Sequence, residues 1–221
     1  MADFAKKPTR KGLFDYARPV DGYTPAQIKA GDAFADALGL PREETNAPLT
    51  PDARFRRCLA EVLKHEGGWA DHPKDPGGAT MKGVTLATFR AFKGRDVTKA
   101  ELRAISDADL EAIYRNGYWD KTRCDDLPAG VDLMVFDLAV NSGPGRAAKF
   151  LQAAVNAEAD GVIGPATLAN VATLPPAEIV LRLRNRRERF FRSLSTFDTF
   201  GRGWLRRLAE VSNLADRWAR P

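Results

Sequence analysis

The chain contains few of the residues that build disulfide scaffolds or metal centres. Its 221 residues include two cysteines, Cys58 and Cys124, and two histidines, His65 and His72. The cysteines are too few for a disulfide framework and do not form a metal-type pair. A zinc-binding H-E-x-x-H motif is excluded because Trp69 stands where its second histidine would be. We therefore expect no metal site and no cofactor.

Long apolar runs are also missing. No stretch of about 18 apolar residues occurs, so we expect no transmembrane helix. Residues 1–11 are charged and lack the apolar core of a secretory signal, which predicts synthesis in the cytoplasm without a signal peptide. A glycine-rich phosphate loop and a G-x-S-x-G elbow are absent as well. If the substrate lies outside the cytoplasm, another agent must deliver the protein to it.

Positive charge is concentrated at the C-terminal end. The chain carries a net charge of +5, while residues 182–221 contain eleven arginines, no lysine and four acidic residues, a balance of about +7. Such a stretch indicates a polyanionic partner, such as nucleic acid, acidic lipid or an anionic cell envelope, or else a solvated arginine-rich helix face. Because no base-reading motif accompanies the arginines, we do not expect nucleic acid as a partner.

The N-terminal part differs in composition from the rest. Residues 1–49 hold five prolines and mixed charges, with one short amphipathic helix predicted over residues 25–38. We interpret this part as an extension that a proline-rich linker ties to the main body.

The main body is predicted to be mainly α. Thr50 and Pro51 form a helix start, and this helix is expected to run to Glu66, before two glycines. Residues 67–83 are rich in glycine, proline and aspartate, which predicts a loop or a small hairpin lobe. Further helices are predicted after the caps Thr98 and Ser106, and over residues 131–140, 146–155, 165–174, 176–194 and about 203–218.

Glu66 occupies an unusual position for a carboxylate. It follows Leu63 by three positions and Val62 by four, and both of these residues belong to an apolar stripe along the predicted helix. Residues at these spacings share a helix face, so Glu66 is predicted on the buried face of that helix. A buried carboxylate is costly unless it is paired or protonated. Glu66 is therefore either a salt-bridged structural acid or a general acid catalyst. The stripe consists of Phe55, Leu59, Val62 and Leu63.

The loop after Glu66 supplies a second carboxylate and a hydroxyl. Asp75 lies nine residues after Glu66, and Thr80 follows five residues later. Two carboxyl groups in different environments are the apparatus of glycoside hydrolysis, in which one donates a proton and the other stays ionised. The alternative is a structural loop, because Asp75 before Pro76 and Gly77 is a common turn sequence.

The run EGGWADHPKDPGGATMKGVT, residues 66–85, closely resembles the signature of glycoside hydrolase family 108, the N-acetylmuramidases of phages and Gram-negative bacteria. Later segments resemble the predicted peptidoglycan-binding region that follows the catalytic part in this family. The resemblance covers about residues 55–210. These later segments are Asp137, residues 141–143, 151–152 and 160–167, and Gly203 with Trp204.

The resemblance implies a lysozyme-like α fold that cuts the β-1,4 bond between N-acetylmuramic acid and N-acetylglucosamine. It implies Glu66 as the acid, Asp75 as the second carboxylate and Thr80 as the hydroxyl that positions water, with Thr85 as the alternative hydroxyl. Three further residues are candidates for substrate contacts or for structural roles. They are Trp69, which is either a sugar platform or core, and Asp137 and Asn141, which either line the cleft or satisfy buried backbone groups.

The composition and the resemblance together indicate an organisation and a biological setting. We expect an extension over residues 1–49, a catalytic region over 50–128 and a helical peptidoglycan-binding region over 129–221 packed on it. The expected role is that of a phage or phage-derived endolysin, released through a holin or carried in a virion that residues 1–49 contact. It would act on periplasmic peptidoglycan, drawn to the anionic envelope by its basic C-terminal helices. The rival functions are a lytic transglycosylase and a non-catalytic peptidoglycan-binding or virion module.

Overall fold

A computed structural model describes residues 30, 33–34, 49–71 and 78–220. The chain divides into two compact units, Met1–Pro48 and Leu49–Pro221. The helix predicted over residues 25–38 falls outside the described residues except at Ala30, Ala33 and Phe34, which are helical. The separation of a catalytic region from a peptidoglycan-binding region within Leu49–Pro221 stays a prediction.

The second unit is mainly α, as predicted. Its helices are α1 (Pro51–Leu63), α2 (Leu86–Lys93), α3 (Lys99–Arg103), α4 (Asp107–Tyr114), α5 (Val131–Ser142), α6 (Pro144–Ala154), α7 (Pro165–Ala172), α8 (Pro176–Arg192) and α9 (Phe197–Trp218). A π-helical turn (Arg115–Trp119) and two 3-10 turns (Asp120–Thr122 and Cys124–Asp126) connect α4 to α5. Within the described ranges, no helix is both long and apolar enough to cross a membrane.

The first helix begins where predicted and ends early. The Thr50 hydroxyl accepts a hydrogen bond from the Ala53 amide at 3.2 Å, and Pro51 occupies the first turn. The helix was expected to reach Glu66 but ends at Leu63. The next three amides each bond the carbonyl three residues back, at 3.0–3.3 Å, which tightens the chain into a turn before the two glycines. Glu66 therefore lies on this turn, just beyond the helix.

The predicted hairpin lobe is a small antiparallel sheet of three strands, β1 (Trp69–Ala70), β2 (Thr80–Met81) and β3 (Val84–Thr85), in the order β1-β2-β3. Lys82 and Gly83 connect β2 to β3 and have φ angles of +48° and +76°. Two consecutive positive φ angles are the requirement of a type I′ turn, whose twist matches that of the strands it joins.

Helix α5 is the central element of the core, as the sequence predicts. Its first nine residues are all buried. The Phe136 ring lies 5.3–6.4 Å, centroid to centroid, from the rings of Trp119, Phe55 and Tyr114. Helices α1, α6, α8 and α9 all contact α5. Both cysteines are free and buried, so Cys58 is a small core residue, as expected.

The last helix begins at Phe197, six residues before its predicted start. Glycines usually interrupt a helical pattern, and the predicted start therefore came after Gly201. Gly201 is instead buried inside this helix. A Cβ at Gly201 would lie 2.5 Å from the Phe197 ring. The glycine therefore makes room for an aromatic side chain on the helix surface and does not end the helix.

The start of α5 approaches α9 closely at Gly130, where φ is +82°. A Cβ at this position would overlap the Ala215 carbonyl oxygen and lie 3.0 Å from the Ala219 Cβ. We expect Gly130→Ala to lower the free energy of unfolding by about 2 kcal/mol or more in urea denaturation, since strain and overpacking add. The control is Gly203→Ala inside α9, which meets no atom within 4 Å and should be neutral or stabilising. Equal losses in both variants would contradict this close packing.

Candidate active site

Glu66 pairs with an arginine from the far end of the chain. Its Oε1 lies 2.9 Å from Nη1 of Arg207, which α9 carries, and its side chain is 19% exposed. Of the two interpretations of Glu66, the structure shows the pairing with a cation. The pair lies where the turn after α1 meets α9, and the carboxyl group keeps access to solvent.

Arg207 is itself held by a buried aspartate. Its Nε and Nη2 donate to the same Asp137 oxygen, Oδ1, at 3.0 and 2.8 Å. The other oxygen of Asp137 accepts from Nη1 of Arg187 at 2.7 Å. Asp137 and Arg187 are almost wholly buried, with side chains 0% and 1% exposed. Glu66, Arg207, Asp137 and Arg187 thus form a continuous series of bonded carboxyl and guanidinium groups that ends at Glu66.

Burial and ion pairing have opposite effects on the pKa values of Asp137 and Arg207. Burial by itself raises the pKa of Asp137, but the charges of Arg187 and Arg207 outweigh it and hold that pKa below its ordinary value. For Arg207, burial lowers the pKa, and Asp137 and Glu66 together raise it above the usual range. Asp137 therefore stays ionised and fixes the orientation of the guanidinium group that contacts Glu66.

The hairpin turn lies against the other side of Glu66. A Cβ at Gly83 would overlap the Tyr114 hydroxyl and lie 2.9 Å from Oε2 of Glu66. The Tyr114 hydroxyl donates to the Lys82 carbonyl oxygen at 2.8 Å. Burial first, and then the charge of Glu66, raise the pKa of Tyr114 well above its ordinary value, so this donor keeps its proton. Tyr114 thus fixes the turn so that its glycine faces the carboxyl group.

Tyr118 lies between Tyr114 and an open groove. The Tyr118 ring lies 5.6 Å from the Tyr114 ring, and burial together with the charge of Glu66 raises the pKa of Tyr118. Tyr118 also lines a groove of about 480 Å³. Its other lining residues include Thr88, Phe92, Asn116, Lys121 and Pro144. Tyr118 therefore connects Glu66 with a groove large enough for part of a sugar chain.

The other predicted residues of the lobe lie on its two faces. Trp69 is half-buried, packs on the core, and has the Arg103 guanidinium 5.6 Å from its ring centroid. Thr80 and Thr85 pair across β2 and β3, so their side chains share one face. The Thr80 hydroxyl donates to the Gly78 carbonyl oxygen at 3.3 Å.

Thr85 also has a structural role, because its hydroxyl caps α2 and accepts from the Thr88 amide at 3.1 Å. Asp75 lies outside the described residues, and so its place relative to Glu66 stays a prediction.

The two predicted residues on α5 differ in exposure. The Asp137 carboxylate is fully buried behind Arg207, where it bonds two arginine side chains. Asn141 is exposed, and its Nδ2 donates to the Asp137 carbonyl oxygen at 2.7 Å. In this structure the Asp137 carboxylate thus contacts Glu66 only through Arg207, whereas Asn141 lies at the surface.

Four residues that surround Glu66 and Asp137 were not predicted from the sequence. Arg187 and Arg207 are two of eleven arginines in the C-terminal stretch, and nothing in their spacing singles them out. Tyr114 belongs to the helix predicted after the Ser106 cap, where its spacing suits core packing and does not indicate a contact with Glu66. The sequence around Gly83 gives one indication of its role. A glycine after lysine within a predicted hairpin is compatible with a type I′ turn.

The chain is similar to a known family and to a solved structure. A family model described as Glycosyl hydrolase 108 matches residues 59–143, a span that includes Glu66, Gly83, Tyr114 and Asp137. Among solved structures, that of Brucella abortus SagA is 45% identical in sequence, with a TM-score of 0.69. The match covers 77% of this chain and 98% of the SagA chain. No curated protein sequence matches significantly.

Gly83 provides a test of the contact between the turn and Glu66. We expect Gly83→Ala to lower the free energy of unfolding by about 2 kcal/mol or more, because positive-φ strain adds to the clash with Tyr114 and Glu66. The matched control is Gly94→Ala, which has a φ of +64° and meets no atom within 4 Å. It should lose only about 1–2 kcal/mol. Equal losses in thermal or urea unfolding would show that the turn does not press on Glu66.

The lowered pKa of Asp137 predicts how the free energy of unfolding depends on pH. Its pKa is lowered on folding, so its stabilisation is complete above the unfolded value of about 3.9 and is lost as the pH falls through the lower folded value. We expect Asp137→Asn to remove this acid-limb slope. We also expect it to cost about 3–5 kcal/mol at neutral pH, because two arginines lose their carboxylate.

Urea denaturation between pH 2 and 7 measures both effects, with the pH range set by the unfolded pKa of about 3.9. Asp126→Asn, which breaks an exposed pair with Arg123, is the control and should cost about 1 kcal/mol or less. An Asp137→Asn variant that keeps the acid slope of the wild type would contradict the assignment.

Proposed function

Because the chain belongs to the glycosyl hydrolase 108 family, we propose that it is an N-acetylmuramidase that acts on peptidoglycan. The bond cut is the β-1,4 bond between N-acetylmuramic acid and N-acetylglucosamine. One observation carries the proposal: Glu66 is partly exposed, is held by Arg207 on one side and faces a glycine turn on the other, and its charge acts on Tyr118, which lines an open groove. A carboxyl group that is oriented and reachable by a sugar suits a general acid.

The two oxygens of Glu66 have different surroundings, which suits proton donation. Oε1 accepts from Arg207, while Oε2 faces Gly83. A carboxyl group protonated on Oε2 still offers Oε1 to the guanidinium, so the bond that orients the group does not block proton transfer. The absence of a side chain at Gly83 lets the turn lie against Oε2 without displacing the carboxyl group. In this proposal Arg207 and Asp137 are positioning residues, and Glu66 is the catalytic acid.

Asp75 completes the proposed mechanism as the second carboxylate, with Thr80 orienting the attacking water and Thr85 as the alternative. Thr80 lies directly after the segment that carries Asp75, and Thr85 is its cross-strand partner. We propose inversion at the anomeric carbon, which requires the two carboxyl groups to stand about 6.5–9.5 Å apart. A separation of about 5–5.5 Å would instead indicate a covalent intermediate.

Substrate binding is assigned to the groove and its surroundings. We propose that Trp69 and Tyr118 contact sugar rings and that the exposed Asn141 bonds an acetamido group near Pro144, which lines the groove. Asp137 supports binding indirectly because its carboxylate holds Arg207.

We further propose that the protein is a phage or phage-derived endolysin that lyses the host cell. It would reach periplasmic peptidoglycan through a holin or within a virion, with residues 1–49 as the docking part. The arginine-rich helices α8 and α9 support attraction to an anionic envelope, an interaction that salt should weaken.

Glu66→Gln tests the proposed acid. We expect the rate of turbidity loss of purified sacculi to fall by about 10²–10⁴-fold, the usual contribution of a general acid. The matched control is Glu61→Gln on α1, which carries the same substitution one turn earlier in an ion pair with Lys64. The control should lyse sacculi at the wild-type rate. If wild type and Glu66→Gln lyse sacculi equally, Glu66 is not the acid.

Mass spectrometry of the released muropeptides distinguishes the reaction types. Hydrolysis predicts products that end in reducing N-acetylmuramic acid, because water adds to the cleaved bond. Products with 1,6-anhydro ends would replace the muramidase proposal by a lytic transglycosylase. No release of glycan by the wild type would favour a non-catalytic binding module.

A further inference from the structure

A second groove lies between α6 and α8, outside the candidate active site. It has a volume of about 330 Å³ and is lined by Lys149, Phe150, Ala153, Arg186 and Arg189. The α6 residues stand at positions i, i+1 and i+4, so they share one helix face, and the two arginines of α8 form the opposite wall. No carboxylate is among the lining residues.

The cations of this groove form no direct ion pair in the part of the chain that the structure describes, unlike their neighbours, although the charge of Lys149 helps to lower the pKa of the nearby Asp160. Arg182 and Arg192 on the same helix pair with Glu178 and Glu188. Within residues 49–71 and 78–220, Lys149 and Arg189 form no ion pair with a carboxylate, and both are exposed. The same holds for Arg146, one turn before Lys149, whose guanidinium lies 4.9 Å from the Phe190 ring centroid. Arginines in a groove without counter-charges attract anionic groups.

The floor of the groove is apolar. The Phe150 ring packs edge-on against the Phe190 ring at 5.6 Å, and Arg186 donates to the Ala153 carbonyl oxygen, which fixes one wall. A ligand that suits this site therefore carries carboxylates or other anionic groups on a chain with short apolar side chains. The concave shape, with cations on both sides, suits a chain more than a flat lipid surface.

We propose that this basic groove, lined by Lys149, Phe150, Ala153, Arg186 and Arg189 and flanked by Arg146, binds the carboxylate-bearing peptide stems of peptidoglycan. The proposal rests on the proposed function, because that function makes peptidoglycan the polymer at hand. Short peptides with free carboxylates and small apolar residues match both the charge and the floor of the groove. Binding there anchors the enzyme on the wall through the peptides, while the glycan occupies the groove beside Glu66.

The test uses the full chain with Glu66→Gln, so that binding is measured without cleavage. In this background, Arg146→Gln, Lys149→Gln and Arg189→Gln together remove three groove charges. The matched control combines Arg202→Gln, Arg206→Gln and Arg217→Gln, which remove three exposed charges from α9. We expect the groove variant to bind intact sacculi about tenfold more weakly than the control, since three charged contacts are lost. Circular dichroism and thermal unfolding confirm that both variants are folded.

Two further probes identify the ligand. Glycan strands stripped of peptides by an amidase should bind both variants equally, because they lack the stems. Vesicles containing phosphatidylglycerol should not distinguish the variants either. Equal binding of both variants to intact sacculi would overturn the proposal, and a selective loss of vesicle binding would assign the groove to lipid instead. Cleavage of sacculi by the groove variant with Glu66 intact tests the muramidase proposal separately, because that proposal does not need the groove.

Discussion

The structure around Glu66 depends on one guanidinium group, that of Arg207. It bonds Glu66 once and Asp137 twice, and Asp137 is fixed in turn by Arg187. This chain of charges joins the turn after α1 to α5, α8 and α9. Removing one member leaves a buried charge without its partner, which costs far more than an exposed ion pair contributes. The candidate active site and the packing of the C-terminal helices are therefore parts of one electrostatic unit.

The same unit explains why a nearly apolar central helix carries two aspartates. Asp132 pairs with Arg54 of α1 at 2.6 Å, and Asp137 pairs with arginines of α8 and α9. Each buried carboxylate thus specifies which helix packs on that part of α5, because any other neighbour would leave it unpaired. The hairpin completes the surroundings of Glu66. Tyr114 fixes the Lys82–Gly83 turn, which lies against the side of Glu66 away from Arg207.

Local signals in the sequence located much of this arrangement. The caps at Thr50, Thr98 and Ser106 are present as predicted. Helical spacing predicted Glu66 on the inner face of the first helix, whereas it lies on the turn after α1, half-buried against Arg207. Arg207 was beyond reach because it is 141 residues from Glu66, and such pairing depends on how α9 packs. The two helix ends that differ most from the prediction, at Leu63 and Phe197, both lie near glycines. The first helix gives way to a tighter turn at Leu63, before the chain reaches Gly67. Gly201 lies inside the last helix, where it packs against an aromatic ring.

The central claim is that Glu66, oriented by Arg207, meets the glycosidic oxygen of a bound glycan. The most direct measurement is a crystal structure of the Glu66→Gln variant with a peptidoglycan tetrasaccharide. We predict the scissile oxygen within about 2.6–3.2 Å of the side chain at position 66, with Arg207 still bonded to that side chain and Asp75 on the opposite face of the sugar. A glycan bound in a groove that does not reach position 66 would contradict the account.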